Sequence, residues 1–374
     1  MKKVNISQVD ALFSNGIYPI EFLFYYKERF DTKRIRATLK KLSSVFWPMF
    51  GKYEDGIIFS EKYSEEECFD EEIVNQDFII PENEKERFEA YSKFMLPDLK
   101  RLFFLKVIQF KNGTILIPKM NHLAGDGYSY FYFLSGLAML SQPALAPAKS
   151  YMIKLFLKPD HCRTALKDFS FKGIELKSLL LNGKFTIEFE EILRKEVGFI
   201  IKEVSSSENL RISTNDILSA FAVKKVVGIQ SEFFGEIVNL TIPIDVRRHV
   251  KEYGQKFFGN GIMLHTIKLK KGNIKNSSAK EIAIQIRESM PAVSKETYIS
   301  YLTQLEDILS EGKMEQFRPF DPGTGCLVTN ISRLPSDKLN FGTGSPDLIF
   351  PLTIEKNSAG ILAKKENFIL RFVY

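Results

Sequence analysis

The sequence predicts an α/β fold, mixed α+β in character and divided into two domains. Three observations lead there. The chain has 374 residues, and at roughly 100 to 200 residues per domain that exceeds one ordinary domain. Strand-type alternation and helix-type spacing are interleaved along the whole chain rather than segregated. Between Gln142 and Asp160 the periodicity fades into a stretch holding Pro143, Pro147, Pro159 and several alanines, the composition of a connection between domains. The expected division is a first domain over 1–150, a crossover over 151–183 and a second domain over 184–374, in which the order of strands and helices loosely repeats.

The elements follow in order. Ile20 to Tyr26 is aromatic-rich and reads as a strand. Asp31 stands at an N-cap position, and Ile35, Leu39, Leu42 and Phe46 after it fall on one helical face. A short strand is expected over 57–60 after the Glu54-Asp55-Gly56 turn. Two apolar strands, 102–110 and 114–121, flank Asn112-Gly113, a strong hairpin signal. The second of them runs into Asn121-His122-Leu123-Ala124-Gly125-Asp126-Gly127, followed by a helix from Tyr128 to Leu140. Beyond the crossover, strands are expected near 184–189, 236–244, 261–270, 325–331 and 366–374. Helices are expected over 190–204, after the capping run Ser213-Thr214-Asn215-Asp216, and over 278–291 and 297–312.

Composition narrows the function classes. With 44% hydrophobic, 13% aromatic and 26% charged residues, the chain carries too much apolar material to be disordered. The net charge of +6 is spread out with no basic arm, which argues against nucleic acid as a partner. Cys68, Cys162 and Cys326 are too few and too scattered for a disulfide framework or a structural zinc site. A reducing, cytoplasmic setting fits them. The two N-terminal lysines lack the apolar core of a signal peptide, and no stretch reaches the roughly 18 apolar residues of a membrane span.

Several catalytic signatures are missing: no Gly-x-Ser-x-Gly, no phosphate loop, no Gly-x-Gly-x-x-Gly and no His-Glu-x-x-His. What stands out is His122 with Asp126 and Gly127, a His-x-x-x-Asp-Gly element where a strand meets a helix. An imidazole there can take a proton from an attacking alcohol or amine. Asp126 either orients the imidazole or pairs with a distant cation that pins the loop; a helix-starting Asp beside a loop histidine is the plainer reading.

The surroundings resemble one family at several places in the same order. Ser7-Gln8-Val9-Asp10, the Phe24-Tyr25-Tyr26 strand, Leu39 to Ser43 with Pro48 to Lys52, and His122 to Gly127 are similar to the first half of the BAHD acyltransferases. Ser213 to Leu218, Pro243-Ile244-Asp245-Val246-Arg247-Arg248, Phe257-Phe258-Gly259-Asn260, Val328 to Pro335 and Asn340-Phe341-Gly342-Thr343-Gly344 resemble the second half. The resemblance covers nearly the whole chain. It departs at Asn340 and Thr343, where the family has Asp and Trp, and at Asn330-Ile331, where Ser-Trp is frequent.

This resemblance implies two similar chloramphenicol acetyltransferase-like domains with an active-site tunnel between them. It implies an acyl-CoA-dependent O- or N-acyltransferase acting as a monomer on a small-molecule alcohol or amine, with acyl-CoA as co-substrate and no permanently bound cofactor or metal. His122 becomes the general base. Thr329 supplies the oxyanion donor, though a β-branched residue in a strand is its ordinary reading. Asp126 pairs with Arg247, Arg248 being the competing partner, and Gly127, Phe341, Gly342 and Gly344 support the site. His161, His249 and His265 default to packing or surface roles, and the lysines at 268, 270, 271, 275 and 280 to solvation. Two alternatives stay open: a condensation-like enzyme fed by a carrier protein's thioester, and a non-catalytic binding protein on the same fold.

Overall fold

The computed structural model describes residues 1–14, 18–143, 151–153, 157–169, 185–208 and 210–374. Much of the expected crossover lies outside them. The strands are β1 (Lys3–Asn5), β2 (Ile20–Tyr26), β3 (Lys52–Glu54), β4 (Ile57–Phe59), β5 (Phe69–Ile73), β6 (Phe103–Phe110) and β7 (Gly113–Met120), then β8 (Ile187–Leu193), β9 (Ile237–Asp245), β10 (Ile262–Lys270), β11 (Gly325–Asn330), β12 (Leu348–Pro351), β13 (Ser358–Ala363) and β14 (Asn367–Val373). The helices used below are α1 (Gln8–Ala11), α2 (Thr32–Leu42), α3 (Glu84–Tyr91), α4 (Gly127–Ser141), α5 (Arg194–Ser207) and α6 (Thr214–Ile229).

Two mixed sheets frame the molecule. One runs β12-β2-β7-β6-β5 and the other β10-β9-β11-β13-β14-β8, with a small sheet β1-β4-β3 beside the first. β2 buries both faces, as its unbroken apolar sequence demands: Phe22, Phe24 and Tyr26 enter one core, Leu23 and Tyr25 another. On α2 the stripe Ile35, Leu39 and Leu42, continued by Phe46, is fully buried. Asp31 does occupy the N-cap, but its carboxylate makes no capping hydrogen bond and pairs with Arg34 at 2.9 Å instead.

Some expectations shift by a few residues for physical reasons. The hairpin turn is Lys111-Asn112, because Phe110 pairs directly with Gly113. Gly113 is a strand residue, and a Cβ there would sit 2.2 Å from the Tyr26 carbonyl oxygen. The glycine therefore serves the close approach of β2. The helix expected from 190 starts at Arg194, since β8 keeps pairing with β14 through Leu193. Ser213 caps α6 with Asp216 in a reciprocal box. Sequence reading missed β1, β3, β5, β12, β13, α1 and α3.

β12 bears most on the site. It lies late in the chain yet pairs with β2, from Leu348 opposite Tyr25 to Pro351 opposite Phe22. One core likewise combines Val9, Phe46 and Tyr130 with Val246, Phe258, Tyr298 and Phe341. The two halves of the sequence thus meet over shared apolar surface.

Candidate active site

β7 ends at Met120, and Asn121 then caps a short turn, its Oδ1 accepting the Leu123 N–H at 3.0 Å. His122 opens that turn and Asp126 closes it as the N-cap of α4, accepting the Ser129 N–H at 3.0 Å. This strand-turn-helix geometry sends the two side chains to different partners.

Asp126 turns to the second half of the chain. Its Oδ2 accepts from Arg247 Nη1 at 2.8 Å and its Oδ1 from Arg247 Nη2 at 2.9 Å, a forked pair. With the Ser129 N–H already counted, the Gly261 N–H adds a fourth donor at 2.9 Å. Both side chains are almost fully buried, and the guanidinium also lies 4.5 Å from the Tyr128 ring. Burial alone would raise the Asp126 carboxyl; Arg247 outweighs it and holds the group below the usual carboxylate range. Arg248 is exposed. Gly127 is the first residue of α4, and a Cβ there would meet Leu334 at 3.5 Å.

His122 keeps its ring for other use. The imidazole stacks on the Phe13 ring, with centroids 3.9 Å apart and planes 17° from parallel. Its Nδ1 is buried without a hydrogen-bond partner among the described residues, while the residue as a whole is only half-buried. Burial lowers its pKa below the ordinary histidine value, against the opposing pull of Asp126, the residue's own carbonyl, Asn260 and Asp10. It is therefore neutral, and able to accept a proton, at neutral pH and somewhat below. Phe13→Ala lets water reach the ring and relieves the dominant cause, so the acid limb of the pH–rate profile is expected to move up toward about 6.5. A limb that stays in place shows that Phe13 does not shield the imidazole.

Thr329 lies on β11 opposite Gly360. Cys326 and Val328 face the second core, so Thr329 alternates to the other face, where it is half-buried with no hydrogen-bond partner for its hydroxyl among the described residues. Phe341 packs elsewhere: its ring lies 5.2 Å from Phe30 and 5.9 Å edge-on to Tyr26. Asn340 Oδ1 accepts the N–H groups of Gly342 and Gly344 at 2.8 and 3.0 Å. Those glycines sit at φ of 113° and 102°, where a side chain is strained. The Asn340 carbonyl bonds Gln142 just past the end of α4, about 20 Å along the helix from Gly127 at 1.5 Å rise per residue. This segment staples the two halves far from His122, and an amide oxygen does what a carboxylate would. His161 bonds the Val45 carbonyl and burial lowers it to about 4; His265 bonds the Ser289 carbonyl.

Three residues that hold the loop were not singled out for the site from sequence. Arg163, from the expected crossover, donates to the Leu123 and Ala124 carbonyls at 2.9 and 2.7 Å and pairs with buried Asp10 at 3.0 Å. Asn260 Nδ2 donates to the His122 carbonyl at 2.8 Å and to Asp10 at 2.7 Å. The only local signal was the Ser7-to-Asp10 capping box of α1; Arg163 has none, because its partners are 39 and more residues away. Among the described residues no cluster of three or more His, Cys, Asp or Glu can hold a metal ion, and no helix is long and apolar enough to cross a membrane.

Comparison with known proteins follows this geometry. A search of curated protein sequences finds no match. Among solved structures, F. sporotrichioides TRI101 complexed with coenzyme A and T-2 aligns at a TM-score of 0.74 and 14% identity, over 99% of this chain and 94% of that one. Vinorine synthase aligns at 0.72 and 15%, over 100% and 90%. The first condensation domain of the CDA synthetase aligns at 0.59 and 11%, over 100% and 90%. These likenesses establish the two-domain fold. A sequence model described as the Transferase family matches residues 2–367, and the chain belongs to that family, the BAHD-type acyltransferases.

Proposed function

We propose that this enzyme transfers an acyl group directly from an acyl-CoA thioester to an alcohol or amine, with His122 as general base. One observation carries the reading: a half-buried His122, kept neutral by burial, stands on a loop pinned by groups of both halves of the chain. Nε2 takes the acceptor's proton as its oxygen or nitrogen attacks the thioester carbonyl carbon. The tetrahedral oxyanion receives a hydrogen bond from the Thr329 hydroxyl. The C–S bond then breaks, and the leaving thiolate takes the proton back from the imidazolium. No acyl-enzyme forms and no metal or resident cofactor takes part. Asp126 and Arg247 keep the loop in register.

Substrates enter between domain 1–150 and domain 184–374, joined by the crossover 151–183, coenzyme from one face and acceptor from the other. The TRI101 structures that hold coenzyme A together with T-2 or deoxynivalenol support a small-molecule acceptor. The free Cys68, Cys162 and Cys326 suit the reducing cytoplasm, and the enzyme acts there as a monomer.

Mass spectrometry of reactions containing an acyl-CoA panel and pooled acceptors tests the donor. Acylated product is expected only when both are present. Product formed from a carrier-protein thioester but from no CoA thioester would reassign the donor, in line with the condensation-domain likeness.

A further inference from the structure

The ring that covers His122 has a support of its own. Phe13 lies flat on the imidazole, and the Tyr18 ring stands edge-on to Phe13, with centroids 6.2 Å apart and planes at 85°. Tyr18 also meets Phe320 at 6.1 Å. Its hydroxyl donates to the carboxyl of Glu355, which stands in the connection from β12 to β13. The same connection grips the backbone beside Tyr18: the Thr353 hydroxyl donates to the Pro19 carbonyl at 2.6 Å and accepts the Glu21 N–H at 3.2 Å.

Packing alone does not account for these two residues. Tyr18 sits at φ of 61°, in the left-handed region where an L side chain is strained and glycine is favoured. A tyrosine persists there only where its surroundings over-determine it. Glu355 is 5% exposed, and its Oε1 is buried with no hydrogen-bond partner. Among the described residues no cation pairs with it, and Arg318, the cation that acts on Tyr18, is held by Asp321 at 2.5 Å. An apolar side chain would fill that place without the cost of an unsatisfied buried oxygen. Burial pushes the Glu355 carboxyl up to about 8, so at neutral pH it is chiefly the uncharged acid, which glutamine imitates.

We infer that Tyr18 is a positioning residue for the base His122: anchored by Glu355, its ring keeps Phe13 flat on the imidazole and water away from it. The second half of the chain thereby reaches His122 by a route separate from the Asp126 loop, through Glu355, Tyr18 and Phe13 in turn. Asp126, Asp10 and Asn260 are the groups that act on the imidazole itself, whereas Glu355, Arg318 and Asp321 act on Tyr18. The word base rests on the acyl-transfer reading; the cover over the ring rests on the contacts alone.

Proton NMR titration of the imidazole C–H signals, each assigned by replacing one histidine, tests this without turnover. Tyr18→Gly removes the ring and relieves the backbone, so the melting temperature should hold near wild type while the His122 titration moves up toward about 6.5, the value of a solvated histidine. Glu355→Ala should move it the same way. Glu355→Gln keeps an acceptor oxygen for the Tyr18 hydroxyl and should leave it in place. His161, held at about 4 by burial beside the Val45 carbonyl, is the internal control and should stay where it is in every variant. An unmoved His122 titration in Tyr18→Gly overturns the assignment, as does a shift in Glu355→Gln as large as that in Tyr18→Gly. Should Glu355→Ala unfold, Tyr18→Gly and Glu355→Gln decide between them. Turnover persisting in His122→Ala would instead remove the base and leave the cover standing.

Discussion

Arg247→Ala is expected to destabilise the protein by about 3–5 kcal/mol, the cost of stranding a buried carboxylate whose partner has been removed. Four donors converge on Asp126, two from Arg247 and one each from the Ser129 and Gly261 N–H groups, and the substitution deletes two at once. The same guanidinium also donates to the Gly259 carbonyl at 3.1 Å and to the Ser129 hydroxyl at 3.2 Å, so the start of α4 loosens too. Arg248→Ala, at an exposed neighbour, is the control and should stay within about 0.5 kcal/mol of wild type. Because the Asp126 carboxyl is held below its ordinary range, its contribution is fully present above the unfolded carboxylate pKa and is lost as pH falls through the lower folded value. Asp126→Asn should remove that part of the acid destabilisation. Melting curves of both variants from neutral to acid pH read the effect. Unchanged stability in both would refute the ion pair as a structural anchor.

His122→Ala separates chemistry from architecture. The loss of a general base is expected to slow transfer roughly 10²- to 10⁴-fold. The fold should change little, because the loop is held through backbone carbonyls by Arg163 and Asn260 and through Asp126, none of which needs the imidazole. A melting temperature near wild type together with lost transfer is the expected pair of readings. Lost transfer with a collapsed melting temperature would make His122 a structural residue.

What could be read from sequence was local. The Ile20–Tyr26 strand, the α2 stripe, the His122 loop and the Ser213 cap all announce themselves within a few residues, through alternation, helical spacing or capping chemistry. Even there the ladder decides details: direct pairing of Phe110 with Gly113 moved the turn, and the pairing of β8 with β14 delayed α5. The rest was invisible because its cause is distant. β12 is four residues long, too short for a period, and exists because the edge of β2 needs a partner. Arg163 looks like any charge in a connecting stretch until Asp10 and the carbonyls of Leu123 and Ala124 close around it. What Asn340 does in place of the family's Asp became visible only in the geometry: its Oδ1 accepts from the Gly342 and Gly344 N–H groups, which call for an acceptor oxygen and no charge.

The most direct measurement is the rate of free-thiol release from acyl-CoA thioesters in the presence of pooled alcohols and amines, with wild type and His122→Ala side by side. Release by wild type that depends on the acceptor and disappears in the variant is the expected result. Equal release by both proteins, or none by either across the donor panel, would contradict direct transfer from coenzyme A with His122 as the base.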